Sequence, residues 1–94
     1  MAAPSIDHRL NQAVEAHFAG RFAQAESGYR EVLLSRPQCI TALKGLGIIE
    51  FLAGNKSEAV ALFRRATEQD PEDAEAWVNL ANAARAIQDS ETSF

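Results

Sequence analysis

Residues 40–73 read ITALKGLGIIEFLAGNKSEAVALFRRATEQDPED, and this stretch decides the fold. A run from Ile40 to Leu52 is broken at Gly54, and a second run from Lys56 to Gln69 ends before Pro71. Glycine suits the left-handed residue just past a helix C-terminus. Proline disfavours helical geometry at the residue before it. The stretch therefore predicts two helices joined by a tight turn and closed by a second turn. Asn55, followed three residues later by Glu58, has the form of a capping box at the start of the second helix.

Outward from this stretch the same punctuation returns 34 residues away, with no gap. Gly20 falls on Gly54, Ala25 on Ala59, Tyr29 on Phe63 and Pro37 on Pro71. On the other side Leu43, Leu46 and Gly47 fall on Trp77, Leu80 and Ala81. The spacing predicts helices over Ile6–Phe18 and Phe22–Ser35, and a fifth from Ala74 to Ile87. Asp73 is placed to cap the fifth helix, and Glu75 sits in its first turn, where the helix dipole favours a carboxylate. The expected fold is all-α: a helical-repeat solenoid of about five antiparallel helices. Its units are 6–39, 40–73 and 74–87, after a short tail at 1–5. Residues 88–94 read as a polar tail or as the truncated start of a next helix.

The middle unit resembles a tetratricopeptide repeat. Its Leu43-x2-Leu46-Gly47, Ala59-x3-Phe63 with Ala66, and Pro71 follow the pattern of that family in order and length. Residues 6–39 fit through Ala13, Gly20, Ala25, Tyr29 and Pro37, but Arg9 and Gln12 replace the apolar pair of the first helix. Residues 74–87 supply a third first-helix with Trp77, Leu80 and Ala81. All three units depart at one point: Ala16, Glu50 and Ala84 stand where an aromatic residue is usual. In such repeats the small residues let two helices approach, and the large ones, here Tyr29, Phe63, Leu46, Leu80 and Trp77, fill the space between pairs. One unit cannot bury its own apolar face, so units stack. The resemblance implies a right-handed stack with a concave groove lined by the first helix of each unit.

The implied function is protein or peptide binding in that groove, with no catalysis in this segment and no cofactor. By resemblance the inward positions include Asn11, Val14 and Phe18, then Lys44, Ile48 and Phe51, then Asn79, Asn82 and Arg85. Asn11, Gly45 and Asn79 share one position, at which some family members carry an asparagine ladder that holds a peptide backbone. An amide both donates and accepts, as that task needs. Gly45 breaks the ladder, and either opens room for a ligand or is neutral. A carboxylate clamp is not matched, because Leu10, Val14 and Glu75 stand where basic residues and asparagine are needed. A third option is an apolar groove of Val14, Phe18, Ile48, Phe51 and Leu52, fit for an amphipathic helix.

Composition narrows the partner class. The hydrophobic fraction of 47% suits a folded chain. The net charge is −4 and no basic stripe exists, which argues against nucleic acid and anionic membrane. Cys39 stands alone, so no disulfide framework is expected. The N-terminus lacks the apolar core and basic leader of a signal peptide. Both features point to a reducing, cytoplasmic setting. His8 and His17 lie nine residues apart, half a turn out of phase on one helix, so they cannot share a metal. The acids around Pro71 read as a solvated turn, and Cys39 has no histidine nearby in sequence.

The third unit lacks a second helix: Ser93 stands where Ala59 stood. Three explanations stay open. The chain is part of a longer protein, for instance the recognition segment ahead of a bacterial transferase or hydroxylase. The open edge pairs with a second copy in a homodimer through the C-terminal helix. Or the fifth helix is itself the cap that repeat arrays require.

Overall fold

The computed structural model describes residues 5–92, with side chains described through Asp89. Five helices follow one another: α1 (Ile6–Phe18), α2 (Phe22–Ser35), α3 (Ile40–Leu52), α4 (Lys56–Gln69) and α5 (Ala74–Thr92). The first four match the sequence reading at both ends. The expected tail at 1–5 lies outside the described residues except for Ser5. Its hydroxyl accepts a hydrogen bond from the His8 amide at 3.1 Å and caps α1.

The glycines end their helices as the spacing requires. Gly20 and Gly54 have φ of 80° and 92°, a region that costs a residue with a Cβ. Each closes a Schellman turn: the Arg21 amide reaches the Ala16 carbonyl at 2.8 Å, and the Asn55 amide reaches the Glu50 carbonyl at 2.8 Å. One unit further on, the corresponding residue is Gln88. With no glycine or proline between Arg85 and Thr92, α5 runs five residues past the expected stop at Ile87. Residues 88–92 are therefore a continuation of α5, and not a tail or a separate helix.

Two local expectations are corrected. Asp73 does cap α5, accepting from the Ala76 amide at 3.3 Å, but Asn55 and Glu58 form no capping box. Asn55 makes no side-chain cap; its amide donates to Glu50 Oε2 at 2.7 Å. Glu58 accepts from Arg30 at 3.0 Å. The reason is burial of Glu50: leaving a buried carboxylate unsatisfied costs more than the roughly 1 kcal/mol of an N-cap. Trp77, expected in the core, is 48% exposed, and its indole N–H donates to the Pro71 carbonyl at 2.7 Å.

The remaining core follows the small-against-large rule. Ala13, Ala25, Tyr29, Leu46, Ala59 and Phe63 are all buried, and Leu80 is partly so. Gly47 lies against the ring of Phe63, where a Cβ would come within 2.9 Å of Cδ1 and Cζ. Consecutive helices pack in order, α1 on α2 through α4 on α5. In addition α1 touches α3 and α3 touches α5, whereas the backbones of α2 and α4 stay apart among the described residues and are bridged by the Arg30–Glu58 ion pair. First helices that meet while second helices splay apart produce a curved array. Its concave side is lined by α1, α3 and α5, and a hollow of 530 Å³ opens between α2 and α4 on the other side.

Candidate functional site

On the concave side a cleft of 260 Å³ lies between α3 and α5. Ile48 and Phe51 of α3 form one wall. Asn79 and Asn82 of α5 form the other, and the buried Phe63 and Ala83 lie beneath. Spacing explains the assembly. Ile48 and Phe51 are three residues apart on α3, as are Asn79 and Asn82 on α5, so each pair projects from one helix face. The Nδ2 atom of Asn79 is buried and has no hydrogen-bond partner among the described residues. Such a donor costs about 1–3 kcal/mol unless something meets it.

The equivalent place one unit earlier is filled. There Gly45 replaces Asn79, and the ring of Tyr29 packs directly against its backbone. The Tyr29 hydroxyl hydrogen-bonds His17 Nδ1 at 3.2 Å, and burial raises its pKa above the ordinary tyrosine value. His17 also stacks on Phe18 and meets the edge of Phe22, with ring centroids 5.8 Å away in each case. Gly45 thus serves the packing of Tyr29 and opens no room for a ligand.

The sequence-predicted residues separate into groups. Ile48, Phe51, Asn79 and Asn82 come together at the cleft. Phe18 and Leu52, 34 residues apart at the ends of α1 and α3, stand 87% and 63% exposed. Val14 packs against the core, while Asn11 and Arg85 are exposed. Lys44 is engaged elsewhere: its ammonium donates to Asp73 at 2.8 Å and lies 3.6 Å from Glu75. Burial opposes its charge, but the hydrogen bond from Lys44 to Asp73 and the field of Glu75 outweigh it, and the Lys44 pKa is raised. Asp73 is correspondingly lowered, chiefly by Lys44, with burial opposing and the Ala76 amide assisting.

One network escaped the sequence reading. Glu50, with a side chain only 3% exposed, is held by Arg30 at 3.2 Å and by Asn55. Arg30 also grips Glu26 and Glu58 at 3.2 and 3.0 Å, tying α2 to α3 and α4. The signal was a lone acid inside the apolar run of α3, at the position where the repeat pattern has an aromatic residue. Elsewhere, Arg9 pairs with Glu31 at 2.7 Å beside a polar hollow at the α1–α2 end of the array. No group of three or more possible metal ligands comes together among the described residues. No described helix is long and apolar enough to cross a membrane.

Comparison with known proteins agrees with this architecture. No curated protein matches the chain significantly. The tetratricopeptide repeat profile matches residues 10–74 and again residues 53–92, so that together they span most of the sequence. Repeats of this kind generally mediate protein–protein interaction. From the 34-residue punctuation, the paired helices and this match, the chain belongs to the tetratricopeptide repeat family.

Proposed function

We propose that the chain holds a segment of a partner protein across the concave side of α1, α3 and α5, without transforming it. The cleft between α3 and α5 seats one apolar side chain of that segment against Ile48, Phe51 and Phe63. Asn79 turns its side-chain amide, whose N–H is buried in the free protein, to donate to a backbone carbonyl beside that side chain, and Asn82 flanks it. Phe18 and Leu52 extend the apolar contact along the groove. The observation that carries the reading is the buried, unpartnered Nδ2 of Asn79 beside apolar walls. A ligand carbonyl would remove that cost, and the walls would contribute about 25 cal/mol per Å² of apolar surface covered.

The test is a nitrogen-15 NMR titration with N-acetyl-leucinamide, which presents one apolar side chain between two backbone-like carbonyls. The side-chain amide signal of Asn79 should move together with the backbone signals of Ile48, Phe51 and Ala83. A fragment this small would bind with Kd no tighter than about 1 mM, roughly −4 kcal/mol. If those signals stay fixed while the probe reaches its solubility limit, the cleft is not an apolar anchor site.

A further inference from the structure

Tyr29 and Phe63 stand 34 residues apart, at the same place in successive units, and each is 2% exposed. Their rings nevertheless lean in opposite directions. The ring of Tyr29, on α2, leans forward onto the next unit and lies on Gly45 of α3, where a Cβ would meet Cε2 and Oη at 2.7 Å. The ring of Phe63, on α4, leans back within its own unit and lies on Gly47 of α3, where a Cβ would meet Cδ1 and Cζ at 2.9 Å. Ahead of Tyr29 the space between α1 and α3 is filled by the ring; ahead of Phe63 the space between α3 and α5 is the 260 Å³ cleft.

The residues that face the two rings account for the difference. Gly47 has no methyl, so an aromatic ring can settle on the backbone of α3 behind it. The first unit has Ala13 at that position, and its methyl is taken up by α2: a Cβ on Gly28 would come within 2.8 Å of it. Ahead of the rings the situation is reversed. Tyr29 meets Gly45, which offers bare backbone, whereas the corresponding residue ahead of Phe63 is Asn79, which does not. A second contact holds each ring where it lies. The Tyr29 hydroxyl is tied to His17 Nδ1 at 3.2 Å. Phe63 has no hydroxyl, and Phe51 stands where His17 stood, so nothing comparable draws its ring across.

We infer that Gly47 and Gly45 are positioning residues that decide which space between first helices accepts an anchor side chain. Gly47 lets Phe63 withdraw and keeps the α3–α5 cleft open. Gly45 lets Tyr29 advance and closes the α1–α3 counterpart. The inference rests on the binding reading above and adds a register to it: a partner segment finds its anchor cleft at α3–α5 and a filled place one unit earlier. A methyl at residue 47 then does more than crowd the core. Packed interiors do not absorb such a clash without a side chain moving, and the cleft is the space that adjoins the Phe63 ring. The ring moves into it, toward Asn79 and Ala83, and takes the place of the ligand's side chain.

Three variants of the full chain test this: Gly47→Ala, Phe63→Leu, and the two together. Nuclear Overhauser contacts of the ring and the N-acetyl-leucinamide titration are the readouts. In the free parent the Phe63 ring protons should contact the α protons of Gly47. In Gly47→Ala, checked as helical by circular dichroism, the ring should gain contacts to Asn79 and Ala83, and the signals of Ile48, Phe51 and Asn79 should no longer respond to the probe. Leucine lacks the Cε1 and Cζ atoms that meet the methyl, so in the Phe63→Leu background Gly47→Ala should leave the Kd of the probe unchanged. A ring that gains no contact to α5 in Gly47→Ala overturns the inference. So does a Gly47→Ala chain that binds the probe as well as a responding parent, or a loss of affinity that is equal in both backgrounds. Should Gly47→Ala fail to fold, Phe63→Leu against the double variant decides: equal affinity supports the inference and a weaker double variant overturns it. A parent that ignores the probe sinks the binding reading alone, and the ring contacts still decide where Gly47 and Gly45 place the two rings.

Discussion

Gly45 lies under the ring of Tyr29 so closely that a Cβ placed there would meet Cε2 and Oη at 2.7 Å, with Cζ nearer still. Tyr29 is 2% exposed and its hydroxyl is tied to His17, so the ring has nowhere to swing. This contact joins the first unit to the second and explains why α3 carries a glycine in its interior, where that residue ordinarily costs about 0.5–1 kcal/mol relative to alanine.

Two effects therefore compete in Gly45→Ala. Helix propensity favours the alanine, whereas overpacking in a filled core costs about 1–3 kcal/mol. Because the clash is with a fixed ring and not with a mobile chain end, sterics wins. The expected outcome is a net loss of about 1 kcal/mol, read as a lower urea midpoint with an unchanged slope. A variant as stable as the parent would mean that the α2–α3 contact is looser than this.

What was legible in the sequence was whatever depended on backbone geometry. Gly20, Gly54, Pro37 and Pro71 constrain φ or forbid a helical neighbour, and the first four helices end where those residues say. Where the punctuation lapses, at Gln88, the end of α5 was misread. Burial was legible only where a residue has neighbours on both sides: Phe63 is covered, but Trp77, at the corresponding place to Leu43, is not. The asparagines of the cleft were found through position in the repeat. The part played by Gly45 and the Glu50–Arg30–Asn55 network was not, because each depends on a side chain that approaches from another helix. No local pattern records such an approach.

The Lys44–Asp73 contact predicts a definite pH window. The Asp73 pKa is lowered, so its contribution is present above the unfolded value of about 3.9 and is lost as pH falls through the folded one. The Lys44 pKa is raised, so its contribution is present below about 10.4 and is lost as pH rises through the folded value. Lys44→Met should therefore lie below the parent by a constant margin between about pH 5 and pH 9. The margin should narrow on further acidification. Urea midpoints measured on both chains across that range check this, and a margin that widens in acid would show that Asp73 is stabilised by something other than Lys44.

Asn79 should trade stability for binding. Its Nδ2 is buried without a partner, and its backbone is helical. Asn79→Ala removes the unmet donor and brings in the better helix former, so the free protein should gain about 0.5–1.5 kcal/mol. Combined with Asn82→Ala, the same change should weaken capture of any peptide that the parent binds, while the chain stays folded. A positioning amide that bound nothing would give the first effect without the second. If Asn79→Ala instead lowers the urea midpoint, the amide is already satisfied in the free protein. The cleft then offers a ligand only its apolar walls.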